Sequence, residues 1–253
     1  MLKAGVYVDA ENVARCGGWG MRFDILRQFI EAQGVRVLRA NVYLAVDQER
    51  EEKDWLYRDK KLAYRAVLRR QGYKVVPKFV KRYRNEEGEL VTKANADLDL
   101  AVDALLQAQR LDYMMLVSGD GDFVRLVNAL QNFGCRVDAL GFHNVSRALR
   151  DAVDTYHSGF FVPELLPTTD DRLRGFMHSV DEEKYFGWIT TWGDLSPESV
   201  STDIFVHGND VEGGTLSNGQ FANLKVHQTP IEFTLDVNDE GQPRAVDVKI
   251  LRP

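Results

Sequence analysis

Leu116-Val117-Ser118-Gly119-Asp120-Gly121-Asp122-Phe123 is the stretch that decides how this chain is read. An apolar run over residues 113–117 stops abruptly at two carboxylates spaced by glycine, and a new amphipathic segment begins behind them. The pattern is that of a buried strand delivering acids to the edge of a sheet. The start of the chain repeats it: Ala4-Gly5-Val6-Tyr7-Val8 runs into Asp9-Ala10-Glu11-Asn12. In an open parallel sheet the crevice beyond the carboxyl ends of the strands is where ligands bind. A third acidic group, Asp97-Leu98-Asp99 with Asp103 beyond it, opens a segment whose Leu98, Ala101, Val102, Leu105 and Leu106 recur at helical spacing.

Working outward, apolar runs at 4–8, 35–44, 73–80, 113–117 and 136–141 alternate with helical stretches near 22–33, 54–71, 97–109, 122–133 and 144–152. Such alternation predicts an α/β domain with a mainly parallel sheet flanked by helices. Gly34, Gly72 and Gly134 each follow a helical stretch and precede a strand, the usual place of a helix-ending glycine. Residues 1–162 are read as this domain and 163–173, with two prolines and little apolar periodicity, as a linker. Residues 174–253 change texture. Short runs at 175–180, 186–192, 203–207, 219–226, 231–236 and 244–251, punctuated by Gly, Asn and Pro, predict a small antiparallel barrel.

The composition sets limits. Two cysteines, Cys16 and Cys135, form no disulfide framework and no Cys-His metal spacing, which fits a reducing, cytoplasmic setting. The N-terminus lacks the apolar core and cleavage site of a signal peptide. No apolar run approaches the roughly 20 residues that cross a bilayer, so no membrane partner is expected. Residues 174–253 carry six Lys or Arg against thirteen Asp or Glu, a net charge of -7, while the whole chain is -6. Attraction to a polyanion must therefore come mainly from the first 173 residues.

Oxygen-only sites suit hard cations such as Mg²⁺ or Mn²⁺, which bind carboxylates, waters and substrate phosphates. Asp9, Asp97, Asp120 and Asp122 are the candidate ligand and catalytic set, with Asn12 and Ser118 holding carboxylates or phosphate by hydrogen bonds. A plainer reading stands beside it: Asp, Asn and Ser are favoured helix N-caps, and Asn12 or Asp120 just before a helix serves equally as one. Asp103 lies a turn and a half beyond Asp97, on a different face of its helix.

Val8-Asp9-Ala10-Glu11-Asn12, Lys93 followed by Asp97 and Asp103, and Ser118-Gly119-Asp120-Gly121-Asp122-Phe123 resemble the NYN domain, a branch of the PIN-like nuclease superfamily, in its LabA-like group. The resemblance implies a metal-dependent ribonuclease fold with Asp9, Asp97, Asp120 and Asp122 as acidic site residues, supported by Asn12 and Ser118. One departure is that Lys93-Ala94-Asn95-Ala96-Asp97 is one residue longer than the family's Lys-Gly-x-Asp and lacks its glycine.

Basic residues gather before the third acidic group. Lys78, Lys81, Arg82 and Arg84, with Lys93 and the aromatic Tyr83, alternate along a segment that turns at Asn85-Glu86-Glu87-Gly88. A projecting hairpin would carry these cations to RNA phosphates, the alternative being a solvated charged tip. In the second part, Gly175 to Ile189 and Asp203-Ile204-Phe205-Val206-His207 resemble a cold-shock domain, an oligonucleotide-binding barrel of the OB type. That likeness makes Phe186, Trp188, Phe205 and His207 its base-stacking residues, unless Phe186 and Phe205 are core aromatics. Ser179 and Val180 stand where the family has aromatics, Tyr185 replaces a Gly, and Gly208 stands where another aromatic is usual. A barrel so altered and so acidic is expected to bind RNA weakly or to serve as a protein contact surface.

The function expected is a divalent-metal-dependent endoribonuclease acting on single-stranded or partly structured RNA. Its alternative is a non-catalytic RNA-binding or regulatory protein that keeps the fold. The sequence leaves the oligomeric state open.

Overall fold

The computed structural model describes residues 1–84, 90–93, 96–168, 172–196, 199–212, 216–238 and 240–252, with side chains described throughout these except at 81–84, 90–93, 96 and 200–202. In chain order the elements are β1 (Leu2–Asp9), α1 (Ala10–Arg15), α2 (Phe23–Ala32), β2 (Val35–Val46), α3 (Gln48–Lys53), α4 (Trp55–Arg70), β3 (Lys74–Phe79), β4 (Lys81–Arg84), β5 (Leu90–Lys93), α5 (Ala96–Ala108), β6 (Tyr113–Val117), α6 (Val124–Asn132), β7 (Arg136–Gly141), α7 (Arg147–Ala152) and β8 (Thr155–Ser158). There follow β9 (Leu173–Asp181), β10 (Phe186–Trp192), β11 (Val200–His207), α8 (Asn218–Val226), β12 (Ile231–Val237) and β13 (Pro243–Ile250). Two compact units result, residues 1–19 with 34–157 and residues 20–33 with 158–253.

In the first unit a six-stranded sheet runs in the order β3-β2-β1-β6-β7-β8 and is flanked by helices. The pairs β3–β2, β2–β1, β1–β6 and β6–β7 are all parallel. β1 and β6 are apolar on both faces because, as central strands, they have neighbours on both sides and a helical layer to bury against. Gly34, Gly72 and Gly134 adopt φ of +81°, +86° and +84°, the left-handed conformation that ends a helix at little cost for glycine alone.

α5 turns out differently from its sequence pattern. Its buried face is Leu100, Ala104 and Ala108, which pack into a core with Tyr7, Tyr43 and Leu116. The larger repeat of Leu98, Val102, Leu105 and Leu106 is exposed. Small residues on the inner face let the helix lie close to the sheet, so side-chain size was misleading about which face is buried.

In the second unit β10-β11-β13-β12-β9 close into a five-stranded barrel around Met177, Ile189, Ile204, Val206, Ile231 and Phe233. The stretch 219–226, expected as a strand, is the helix α8. Ser217 and Gln220 form a reciprocal capping box at its start, and Phe221 and Leu224, three residues apart, are buried. Where the sequence reads as a linker, Leu165 and Leu166 are buried, and Arg174 donates to the carbonyls of Leu166 and Pro167. Arg172, itself buried, pairs with Glu232 on β12 and Asp247 on β13. Among the described residues no helix is long and apolar enough to cross a membrane.

Candidate active site

β1 and β6 are the central pair of the sheet, and the chain leaves them on opposite sides, β2 beyond β1 and β7 beyond β6. This is the switch point at which an open α/β sheet forms its crevice. Val8 lies opposite Val117, so Asp9 and Ser118 follow at the same level of neighbouring strands.

A run of hydrogen bonds ties the two strand ends together. Asp9 is 5 % exposed. Its Oδ1 accepts the N–H of Asn12 at 3.1 Å, capping α1, and its Oδ2 accepts the Ser118 hydroxyl at 3.3 Å. Asn12 Oδ1 accepts the Gly119 N–H at 2.8 Å. Ser118 Oγ accepts the N–H of Asp120 at 3.2 Å, and Asp120 Oδ1 accepts that of Asp122 at 2.9 Å, opening a single 3₁₀ turn at Gly121–Phe123. The glycines keep the turn close to its neighbours: a Cβ on Gly119 would lie 3.1 Å from the Val145 side chain, and one on Gly121 would lie 2.6 Å from Ser146 Oγ, which would have to rotate away.

Of the two capping roles weighed against a site, that of Asp120 is real, whereas Asn12 lies inside α1 and it is Asp9 that caps the helix; both caps coexist with convergence of charge. Burial pushes the Asp9 carboxyl above its ordinary value; the Asn12 N–H opposes this, and the Asp97 charge adds to it. Asp97, in the first turn of α5, is raised by burial and then by Asp120 and Asp122. Four carboxylates from three distant segments therefore feel one another at the end of β1 and β6. Two residues the sequence reading passed over join them. The Arg15 guanidinium lowers both Asp9 and Asp97, and Cys16, raised chiefly by burial, feels Asp9 and Asp120. Both belong to the short α1 and its cap, too brief a helix for any periodicity to single them out.

Among the described residues no group of three or more His, Cys, Asp or Glu side chains is arranged to hold a metal ion as it stands. The donor chemistry still fits a hard divalent cation, since the set offers carboxylate oxygens whose mutual repulsion a cation would offset.

The remaining candidates lie elsewhere. Lys78 is ion-paired with Asp99 of α5 at 2.8 Å. The side chains of Lys81, Arg82, Arg84 and Lys93 lie outside the described residues; their backbones form β4 and β5, which pair antiparallel with Arg84 opposite Leu90, as the expected hairpin requires. Asp103 accepts from the buried Tyr43 hydroxyl at 2.9 Å and from Asn41 Nδ2 at 3.4 Å. On the barrel, Phe186, Trp188 and Phe205 gather with ring centroids 5.1 and 5.5 Å apart, half-buried and outside the inner cluster. His207 accepts the Asn209 N–H on Nδ1 and meets the Tyr185 ring edge-on. Trp192 joins a second aromatic group with Phe161 and Phe176. Tyr185 and Gly208 fit each other. The Tyr185 ring fills the space over Gly208, where a Cβ would come within 2.1 Å of it, and its hydroxyl donates to the Leu216 carbonyl.

The sequence profile of the NYN domain matches residues 3–166. The "Low amplitude and bright protein LabA" of Synechococcus elongatus is 23% identical over 163 residues, 61% of this chain and 82% of that protein. A crystal structure of a protein of unknown function from Vibrio parahaemolyticus, also 23% identical, covers 62% of this chain and 92% of its own with a TM-score of 0.49.

Proposed function

Since the chain belongs to the NYN domain family, a branch of the PIN-like nucleases, we propose that it is a divalent-metal-dependent ribonuclease that cuts RNA internally. The observation that carries this is the convergence of Asp9, Asp97, Asp120 and Asp122 on one another's charge at the sheet's switch point. Asp9, Asp97 and Asp120 would hold Mg²⁺ or Mn²⁺, with Asp122 completing or orienting the set. A cation held by them would let a bound water ionise more readily and would offset charge on the attacking and leaving oxygens. The chain's own residues do the rest: Ser118 and Asn12 fix Asp9 and the Gly119 loop, and Arg15 offers an exposed guanidinium to a phosphate oxygen.

In this reading the barrel is a degenerate cold-shock module, and the Phe186, Trp188 and Phe205 cluster stacks single-stranded bases. Its acidic surface also suits a protein partner. The protein works in the cytoplasm, consistent with two unpaired cysteines. A non-catalytic RNA-binding role has its own support, because Asp9 and Asp120 each already cap a helical turn.

End-labelled single-stranded RNA incubated with Mn²⁺, Mg²⁺ or EDTA, beside an Asp9→Asn, Asp120→Asn double variant, tests the reading. Cleavage that needs metal and vanishes in the variant is expected. RNA bound but uncut under every metal would transfer the case to the non-catalytic role.

A further inference from the structure

The segment Cys16-Gly17-Gly18-Trp19-Gly20, directly after α1, is held by its backbone and displays one large ring. The Cys16 N–H donates to the Asn12 carbonyl at 2.9 Å and the Gly18 N–H to that of Val13 at 2.8 Å. The Cys16 carbonyl in turn accepts the His143 N–H at 2.8 Å, from the segment that follows β7. Gly17 takes a φ of +95°, a turn that costs little only for glycine. Gly18 is buried so closely that a Cβ there would lie 2.5 Å from both Phe142 and Val13. The next residue, Trp19, is 78 % exposed, and among the described residues no other Trp, Tyr or Phe side chain is as open.

Single exposed apolar residues are common on protein surfaces, so exposure alone decides nothing. The position of Trp19 does. Asn12, whose carbonyl holds Cys16, holds Gly119 through its side chain, so this loop and the Asp120 turn share one anchor. Cys16 feels the charges of Asp9 and Asp120, and Arg15 those of Asp9 and Asp97. Three residues of chain reach at most about 11 Å, which sets the distance of Trp19 from Cys16. Glycines on both sides leave the ring without neighbouring side chains to cover it.

We propose that Trp19 is a base-stacking residue of the acidic site, and that the substrate accordingly presents an unpaired base beside the phosphate to be cut. The proposal rests on the ribonuclease reading and narrows its substrate to single-stranded RNA. Arg15, exposed at the end of α1, offers a cation to the phosphate, and Trp19 offers a flat apolar face to the base. Every base has such a face, so the ring selects for the unpaired state and not for sequence. Bases already paired and stacked inside a duplex have no face to give it.

The test measures binding of a labelled single-stranded RNA, and of a blunt duplex of the same sequence, to the full chain carrying Asp9→Asn and Asp120→Asn so that the RNA stays whole. Into this chain are placed Trp19→Ala, Trp19→Leu and Trp19→Phe. The side chain is exposed, so circular dichroism and Tm should be unchanged; Trp19→Leu, which keeps apolar bulk without an aromatic face, serves if alanine unsettles the loop. Trp19→Ala and Trp19→Leu should weaken single-strand binding by roughly 5- to 150-fold, and Trp19→Phe should keep most of it. Duplex binding should be the same for all. Single-stranded RNA should also quench the tryptophan emission of Trp19→Phe less than that of its parent. Single-strand affinity untouched by Trp19→Ala, in a protein whose parental form cuts RNA, overturns the stacking and leaves the ribonuclease reading in place. Equal losses for single strand and duplex overturn it too, because paired bases cannot use the ring. Binding through Trp19 by a protein that cuts nothing overturns the ribonuclease reading alone, and a protein that neither binds nor cuts RNA overturns both.

Discussion

Asp9 accepts hydrogen bonds on both oxygens, yet its carboxyl and that of Asp97 sit above the ordinary value because burial and neighbouring charge disfavour ionisation. Folded-state values above the unfolded ones mean that the native protein holds protons the unfolded chain has released. The ionised pair therefore weighs against folding above the raised values, and the penalty fades as pH falls through them. Asp97→Asn should accordingly melt at a higher temperature than the parent at neutral pH, by roughly 2–4 °C for each kcal/mol relieved. The gain should shrink as pH approaches about 4, where a free carboxyl also protonates. Thermal melts across this range check it, and an equal gain at both ends would mean the charge is not the cause. Mn²⁺ or Mg²⁺ should raise the parent's Tm but leave the Asp9→Asn, Asp120→Asn variant unmoved, since stabilisation follows binding to the native state. The carboxylates were legible because each interrupts an apolar strand or opens a helix. Arg15 and Cys16 were not, since nothing local marks a cation or thiol that only the crossing of α1 with the sheet brings to the acids.

At the scale of elements, the placement of Asp97 depends on how α5 is held. Leu100, Ala104 and Ala108 fix its depth, while Asp103 fixes its rotation through Tyr43 on β2. Gln107 accepts from the Tyr7 hydroxyl at 3.1 Å and Asp99 pairs with Lys78, so three neighbouring strands contribute. Asp103→Leu leaves the buried Tyr43 hydroxyl without its acceptor, while Asn41 Nδ2 keeps the Tyr43 oxygen at 3.0 Å, at a cost of about 1–3 kcal/mol. It should lower both Tm and cleavage rate, and Tyr43→Phe with Asp103→Leu should lower Tm further, because the buried Asn41 amide then loses both of its acceptors. A double variant as stable as the parent would show that this network does not hold α5. The sequence placed Asp103 correctly off the Asp97 face but gave no hint of this role, because Asn41 and Tyr43 sit inside an otherwise apolar run. α8 was misread for a related reason. Its alternating residues suit a strand, and only the Ser217–Gln220 box distinguishes a helix that the barrel then accommodates through Phe221.

For the whole molecule, the change of texture along the last third of the chain pointed to a second, antiparallel β architecture; a closed five-stranded barrel does follow, but a mixed one, since β11 pairs parallel with β13. The grouping of residues 20–33 with 158–253 was not legible, because periodicity describes a segment's own faces and not the distant partner that covers them. Charge is divided as sharply as fold, with -7 in residues 174–253 and +1 in the remainder. On the proposed ribonuclease reading, long-range attraction to RNA would come from the first part of the chain, and the barrel would contribute through short-range stacking. A Phe186→Ala, Trp188→Ala, Phe205→Ala variant of the full chain should bind a single-stranded RNA more weakly by about 1–3 kcal/mol for each base stacked. The salt dependence of binding should stay unchanged, since no phosphate contact is removed. Cleavage at saturating RNA should also be unchanged, because the carboxylates are untouched, so the loss would appear in KM alone. Unaltered affinity with an unaltered salt slope would instead mark the aromatic face as a surface for protein, in keeping with its acidic surroundings.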